Sequence, residues 1–285
     1  MQQVLQLYGF SNCNFTDVLM SVPKEPHYFD VYYGDMQTQE YISRCYGNYK
    51  GEKIIGEATP RYLCSPWALQ RLAEHYPGAK YIAMLRNPVD RAYSHWWMFY
   101  SRAMEHLRFE EAIDFCIEQD AGQEPGQEEW MEHVRRTKAG RSISIRPYLS
   151  SGYYGRYLKK FFEWFDRDKL LVIQTEEFNK DRIRGMEEVY QFLGIRNDQE
   201  QNVRKHNEAY GTATRPFFRI IKGLGLTRFT QLIPETQRDR IKRLLARAGS
   251  KQPVMNPATR KRLAMHYEKH NRDLENLLGR DFNWM

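Results

Sequence analysis

The stretch from Tyr81 to Phe109, YIAMLRNPVDRAYSHWWMFYSRAMEHLRF, decides the fold of this chain. Its first residues, Tyr81–Leu85, form an apolar run that is too short for a helix, which predicts a buried strand. Pro88 favours the first turn of a helix, and apolar residues then recur at helical spacing. Because ligands of open α/β sheets bind where strands end, we expect Arg86 and the hydroxyl of Ser94 to contact a phosphate.

Two further apolar runs predict strands of the same sheet, Lys53–Glu57 and Leu170–Gln174. The strand–helix–strand order implies right-handed parallel crossovers. The fold class is therefore α/β, with a central parallel sheet flanked by helices. Since 285 residues can form one such domain, we take residues 1–285 as a single domain.

Composition and charge narrow the classes of function. The net charge of +7 suits an anionic partner. Because the basic residues are spread along the chain and do not form one patch, we predict that the protein does not bind nucleic acid. No apolar run approaches the roughly 20 residues that span a bilayer, so we predict no membrane span. The four cysteines lie far apart, which favours reduced thiols in a cytoplasmic protein and gives no metal-ligand spacing.

The string LRNPVDRAYSH, Leu85–His95, resembles the 3′-phosphate-binding motif of sulfotransferases that use 3′-phosphoadenosine 5′-phosphosulfate (PAPS). The resemblance implies that Arg86 and Ser94 grip the 3′-phosphate of this donor. The alternative is an ordinary strand–turn–helix with a surface arginine. The length of the matching string, in a strand-to-helix context, favours the donor site.

Two other segments resemble the same family. KEPHYFD, Lys24–Asp30, is similar to the segment that carries the catalytic glutamate, so the resemblance makes Glu25 the base and His27 its assistant. GEATPRYL, Gly56–Leu63, is similar to a segment that lines the acceptor side, and the C-terminal HYEKHNRDLENLLGRDFNW resembles the terminal helix of bacterial members. The substrate-binding residues implied by these segments are Lys24, Thr59 and Tyr62.

Two more residues are assigned to the donor. Tyr154 lies near Gly152 in an aromatic stretch and is expected to stack on adenine or on a substrate ring, with core packing as the alternative. Arg215 falls in the late region where relatives often close over the nucleotide. No metal is implied by the family.

The loop that binds the 5′-phosphosulfate in this family is not found near the N-terminus. Gly9–Asn14 has one glycine and no lysine. Either the chain is truncated, or a degenerate segment replaces the loop. We therefore predict a P-loop-like three-layer fold without its first strand, in which Val4–Tyr8 is irregular or helical.

The predicted function is sulfuryl transfer from PAPS to a hydroxyl or amine of a small-molecule or glycan acceptor. The alternative is a noncatalytic nucleotide- or partner-binding remnant of the fold, which the missing loop supports. A P-loop kinase ranks last, because no G-x-x-x-x-G-K-[ST] occurs. Residues 121–140 are expected to form an exposed loop or an insertion over the acceptor site. The acceptor and the oligomeric state stay open.

Overall fold

A computed structural model describes residues 2–8, 18–119, 124–195 and 252–284 of the chain. The described residues separate into two compact units. Of the described residues, the first unit contains 2–8, 18–87, 154–195 and 270–284, and the second contains 88–119, 124–153 and 252–269. The single-domain assignment stays a prediction.

A parallel sheet forms the centre of the first unit, with the strand order β2-β3-β1-β4-β5. The predicted strands of the sequence analysis appear in it, because β4 and β5 cover the expected apolar runs and β3 covers most of its own. The strands are β1 (Gln2–Tyr8), β2 (Val18–Met20), β3 (Ile54–Ala58), β4 (Lys80–Leu85) and β5 (Leu170–Gln174). The α/β fold class with a central parallel sheet is confirmed.

The central strand of the sheet is β1, and this corrects the sequence prediction. Val4–Tyr8 was expected to be irregular or helical, and the first strand to be missing. In the structure, Val4 pairs with Gly56 of β3 on one side and with Lys80 of β4 on the other. The physical reason is that a gap between β3 and β4 would leave backbone groups of both strands without partners, whereas β1 satisfies them.

Helices cover both faces of this sheet. On one face, Ile82 and Met84 of β4 belong to an apolar cluster with Met186 and Val189. On the other face, the centre of the Tyr81 ring lies 5.0 Å from the centre of the Phe161 ring. The alternation along β4 follows from the period-two geometry of a strand. The helices of the first unit are α1 (Thr38–Tyr46), α2 (Pro66–His75), α6 (Tyr154–Phe161), α7 (Thr175–Lys180), α8 (Arg182–Leu193) and the second part of α9 (Pro257–Leu278).

The second unit is helical in its described residues. It contains α3 (Pro88–Ser101), α4 (Phe109–Glu118), α5 (Gln127–Lys138) and the first part of α9. At its centre, the buried carboxylate of Glu105 accepts hydrogen bonds from Arg146 at 2.8 and 3.0 Å. Burial raises the pKa of Glu105, but the hydrogen bonds from Arg146, the Leu107 backbone and Tyr148, with the positive charge of Arg146, together outweigh it and hold this pKa below the ordinary range.

Helix α5 occupies most of the segment for which a loop or insertion was expected. Trp130, His133 and Val134 are buried at helical spacing. Acidic residues lie in the first turn and basic residues in the last, which complements the helix dipole. The charge that suggested an exposed loop therefore belongs to the two ends and the outer face of an amphipathic helix.

Short helical turns connect the larger elements: a π-helical turn at Tyr28–Tyr32 and 3₁₀ turns at Pro60–Cys64, Ser150–Gly152 and Arg167–Lys169. Cys45, Cys64 and Cys116 are buried thiols. The cytoplasmic location inferred from the cysteine spacing stays a prediction. Within the part of the chain that the structure describes, no helix combines the length and apolar character that a membrane crossing requires.

Candidate functional site

Several predicted site residues of the first unit lie at the carboxyl ends of the sheet strands. Glu25 lies beyond the end of β2, Thr59 directly follows β3, and Arg86 directly follows β4. Because all strands are parallel, these ends share one edge of the sheet. This is the edge at which open α/β sheets bind ligands.

Glu25, His27 and Asp30 form a chain of polar groups in the segment that follows β2. The Oε2 atom of Glu25 lies 4.0 Å from His27 Nε2, and His27 Nδ1 lies 2.9 Å from Asp30 Oδ2. Asp30 is fully buried, whereas the side chain of Glu25 is 43% exposed. An ionised carboxylate only accepts hydrogen bonds, so an ionised Asp30 favours the His27 tautomer that carries its proton on Nδ1. In that tautomer, Nε2 is the ring nitrogen able to accept a proton.

The backbone of this segment is held in an unusual conformation. Glu25 has φ 55° and His27 has φ 58°, the left-handed region that residues other than glycine rarely adopt. Each such residue costs about 1–3 kcal/mol, and such residues concentrate at functional sites. The surrounding contacts must therefore hold Glu25 and His27 in place.

Three side chains supply those contacts from the elements after β3. The Tyr62 hydroxyl accepts the Phe29 N–H at 3.2 Å, and Arg71 Nη1 donates to the Phe29 carbonyl at 2.7 Å. Trp67 Nε1 donates to the Asp30 carbonyl at 3.1 Å. The backbone directly after His27 is thus fixed by partners on the Pro60–Cys64 turn and on α2.

A buried carboxyl, Glu57, lies among hydroxyl groups under the same segment. Its Oε1 accepts a hydrogen bond from Thr59 Oγ1 at 2.6 Å, and its Oε2 accepts one from the Tyr41 hydroxyl. Burial raises the pKa of Glu57, although the hydrogen bonds from Thr59, Tyr41 and Tyr62 act in the opposite direction. Burial also raises the pKa of Tyr41 and Tyr62 well above the ordinary range, so both phenols keep their protons.

The three residues assigned to the substrate lie in different environments. Lys24 is exposed and its Nζ lies 3.8 Å from Glu25 Oε1. Thr59 and Tyr62 are buried. The Thr59 hydroxyl donates to Glu57, and the Tyr62 hydroxyl accepts the Phe29 N–H. Their contact with an acceptor stays a prediction; what the structure gives them is a supporting position beneath the segment of Glu25 and His27.

Arg86, assigned to the donor, is exposed directly after β4. The Tyr154 hydroxyl donates to the Arg86 carbonyl at 2.9 Å, and the Tyr154 ring is buried. Stacking of Tyr154 on adenine stays a prediction. Ser94 is half-buried on α3 of the second unit, and its role also stays a prediction. Arg215 and the Gly9–Asn14 segment lie outside the described residues.

Three residues of this region were not predicted from the sequence. Asp30 was part of the KEPHYFD match, and its position three residues after His27 in a helical turn was the available signal. Glu57 was quoted in GEATPRYL, but nothing in the sequence showed that it would be buried. Glu176 lies in α7, two residues after the end of β5, and accepts a hydrogen bond from the Asn87 N–H; no local pattern indicated this. Within the described residues, no three His, Cys, Asp or Glu side chains are placed so that they could hold a metal ion together.

Comparison with known proteins gives a family and several relatives for this chain. Residues 48–275 match the family model described as a sulfotransferase domain. The bifunctional heparan sulfate N-deacetylase/N-sulfotransferase 4 of Mus musculus is 28% identical over 230 residues, which cover 80% of this chain and 22% of that protein. The heparan sulfate glucosamine 3-O-sulfotransferase 6 of Mus musculus is 25% identical over 261 residues, which cover 91% of this chain and 64% of that protein.

A solved structure shows the same fold. The sulfotransferase from Alicyclobacillus acidocaldarius superposes with a TM-score of 0.63 at 21% identity, covering 100% of this chain and 99% of that one. The chain thus spans about a fifth of the length of the first curated relative and nearly all of this solved structure.

Proposed function

Because the chain belongs to the sulfotransferase domain family, we propose that it transfers a sulfuryl group from PAPS to a hydroxyl or amine of a glycan or small-molecule acceptor. The observation that carries the proposal is the chain of polar groups from Glu25 through His27 to Asp30, at the edge of the sheet where ligands bind. The names of the relatives, which act on heparan sulfate, support a glycan as the first acceptor to test.

Glu25 is the proposed general base. Its carboxylate would take the proton from the acceptor as the acceptor oxygen or nitrogen attacks sulfur, and the bond from sulfur to the phosphate oxygen would break in line. His27, oriented by Asp30, would take over the proton once Glu25 has accepted it from the acceptor, because its Nε2 atom lies 4.0 Å from Glu25 Oε2. The partial exposure of Glu25 leaves it open to an acceptor, while the burial of Asp30 keeps the orientation of His27 fixed.

Arg86 is the proposed ligand of the donor 3′-phosphate. It is exposed at the carboxyl end of β4, and a guanidinium forms paired hydrogen bonds with phosphate oxygens. The family resemblance assigns Ser94 to the same phosphate. The donor supplies the sulfuryl group itself, and the protein supplies position and a base.

The noncatalytic alternative rests on one observation in the sequence. The segment that follows the carboxyl end of β1, Gly9–Asn14, has no lysine to stabilise charge on the bridging oxygen. Under this alternative, the protein binds the nucleotide but transfers nothing.

One experiment separates the two functions. The protein is incubated with PAPS labelled on sulfur and with either a glucosamine-containing oligosaccharide or a phenol, and labelled product is measured. We expect transfer by the unmodified protein, and a loss of about 10²-fold or more in Glu25→Gln, since general base catalysis contributes that much. Glu40→Gln, at a similarly exposed glutamate of α1, is the matched control. Binding of adenosine 3′,5′-bisphosphate without any transfer would favour the alternative.

A further inference from the structure

The residues that follow α9 lie along the ends of β4 and β5 in the first unit. Arg280 Nη1 donates to the Val172 carbonyl at 3.2 Å, and Gln174 Nε2 donates to the Phe282 carbonyl at 2.8 Å. Trp284 is buried, and its ring lies 4.5 Å from that of Phe282. Residues 280–284, here called the C-terminal strap, are therefore fixed to the carboxyl edge of the sheet.

Glu176 joins the strap to the turn after β4. Its Oε1 accepts the backbone N–H of Asn87 at 2.8 Å, and its Oε2 accepts the indole N–H of Trp284 at 3.2 Å. The Asn87 side chain completes the arrangement by donating to the Trp284 carbonyl at 3.0 Å. Glu176, Asn87 and Trp284 thus form a closed ring of hydrogen bonds.

The peptide group between Arg86 and Asn87 is held at both of its ends. Its carbonyl oxygen, on Arg86, accepts from Tyr154, and its N–H, on Asn87, donates to Glu176. In a trans peptide these two groups point in opposite directions, so the two partners restrain the rotation of the peptide plane. Together with the preceding backbone of β4, that plane fixes the direction in which the Arg86 side chain leaves the backbone.

We propose that Glu176 is a positioning residue for Arg86, which acts with Tyr154 and the strap to aim the guanidinium at the 3′-phosphate of the donor. This inference rests on the proposed function. It predicts that Glu176 controls the preference for nucleotides that carry a 3′-phosphate, although it does not touch the nucleotide. A merely structural role would weaken all nucleotides alike.

The test measures the affinity of the full chain for adenosine 3′,5′-bisphosphate and for adenosine 5′-monophosphate by calorimetry. We expect Glu176→Ala to lower the affinity for the bisphosphate by roughly tenfold, since a hydrogen bond to a charged group contributes about that much. The affinity for the monophosphate should change by less than about twofold. Glu163→Ala, at an exposed glutamate, is the matched control. If Glu176→Ala does not fold, Trp284→Phe is the second variant. It keeps an aromatic side chain but removes the indole N–H together with the five-membered ring, and we expect the affinity for the bisphosphate to fall by about threefold, with Trp164→Phe, at an exposed tryptophan, as the control.

A double variant distinguishes positioning from additive damage. If Glu176 acts through Arg86, then Arg86→Ala with Glu176→Ala binds the bisphosphate as weakly as Arg86→Ala alone. Additive losses, or a Glu176→Ala protein that keeps its preference for the bisphosphate, would overturn the inference and leave the proposed function standing. An unmodified protein without that preference would overturn the donor site and this inference together.

Discussion

The segment of Glu25 and His27 follows β2 and the turn of Arg86 follows β4 of the same sheet, yet different parts of the chain hold the two in place. The first rests on side chains of the Pro60–Cys64 turn and α2, which are 33 to 42 residues away in sequence. The second is held by Tyr154, Glu176 and Trp284, which are 68 to 197 residues away. The proposed base therefore depends on elements that are near it in sequence, and the proposed donor contact depends on distant ones.

The anchors also differ in chemistry. Beneath the segment of Glu25 and His27, hydroxyl groups surround the buried Glu57. At the Arg86 turn, a carboxylate and a phenol hold the two ends of one peptide group. We therefore expect substitutions near Glu25 to change the rate of transfer, and substitutions near Arg86 to change the affinity for the donor.

The largest expected effect is that of Asp30→Asn. The amide loses the charge that stabilises a protonated His27 and can impose the wrong ring tautomer, so we expect the rate to fall by about 10²-fold, within the range of general acid–base catalysis. The affinity for adenosine 3′,5′-bisphosphate should stay unchanged. Asp35→Asn, at an exposed position, is the control. An equal loss in donor affinity would break the division between the two regions.

A smaller effect is expected for Tyr62→Phe. Without the hydroxyl, the buried Phe29 N–H loses its acceptor, and an unsatisfied buried group costs about 1–3 kcal/mol. The measurement is chemical denaturation of the unmodified protein, Tyr62→Phe and Tyr49→Phe, the last at a tyrosine that is 42% exposed. Equal stabilities would mean that the Phe29 backbone has another partner.

Gln174→Leu should have a milder effect on the Arg86 region. It removes the buried hydrogen bond to the Phe282 carbonyl, which is worth about 1 kcal/mol in the free energy of unfolding. Because the strap is held at other points, donor affinity should fall by less than in Glu176→Ala. Gln191→Leu, at an exposed position of α8, controls for the added apolar surface. A larger loss of donor affinity than in Glu176→Ala would reverse the order of the two anchors.

The mildest test varies pH. Because the pKa of Glu57 is raised in the folded protein, the folded state holds a proton that the unfolded state releases above about pH 4.5. The contribution of this proton to the free energy of unfolding is complete below that pH and is lost as the pH rises through the raised pKa of Glu57. Glu57→Gln, which cannot ionise, should lack this part of the pH dependence. If the melting temperatures of the unmodified protein and Glu57→Gln changed with pH in parallel, the ionisation of Glu57 would not affect the stability of the fold.

Much of the fold could be predicted from the sequence because the patterns involved are local. The Tyr81–Leu85 strand and the helix after Pro88 follow from residues next to one another. The charged pattern of 121–140 was also local, but its helix depended on Trp130, His133 and Val134 being buried together, which only the structure shows. The position of β1 depended on the gap between β3 and β4, a property of the whole sheet.

The site could be predicted in the same partial way. Glu25, His27 and Asp30 lie within six positions, so a short motif includes them all. The contacts of Asn87 with Glu176 and Trp284 join three separate parts of the chain. No pattern in a single segment specifies such contacts, because they arise only when the parallel strands bring their carboxyl ends together.

The hydrogen bond between Asn87 and the Trp284 carbonyl has a consequence for the time course of biosynthesis. The two residues are 197 positions apart, so a ribosome adding about 5–20 residues per second needs roughly 10–40 seconds to pass from one to the other. During this interval the Arg86 turn exists without its strap. In a nascent chain, the elements that fix Glu25 would therefore be synthesised long before the strap that completes the Arg86 turn. Nucleotide binding would be acquired late in synthesis.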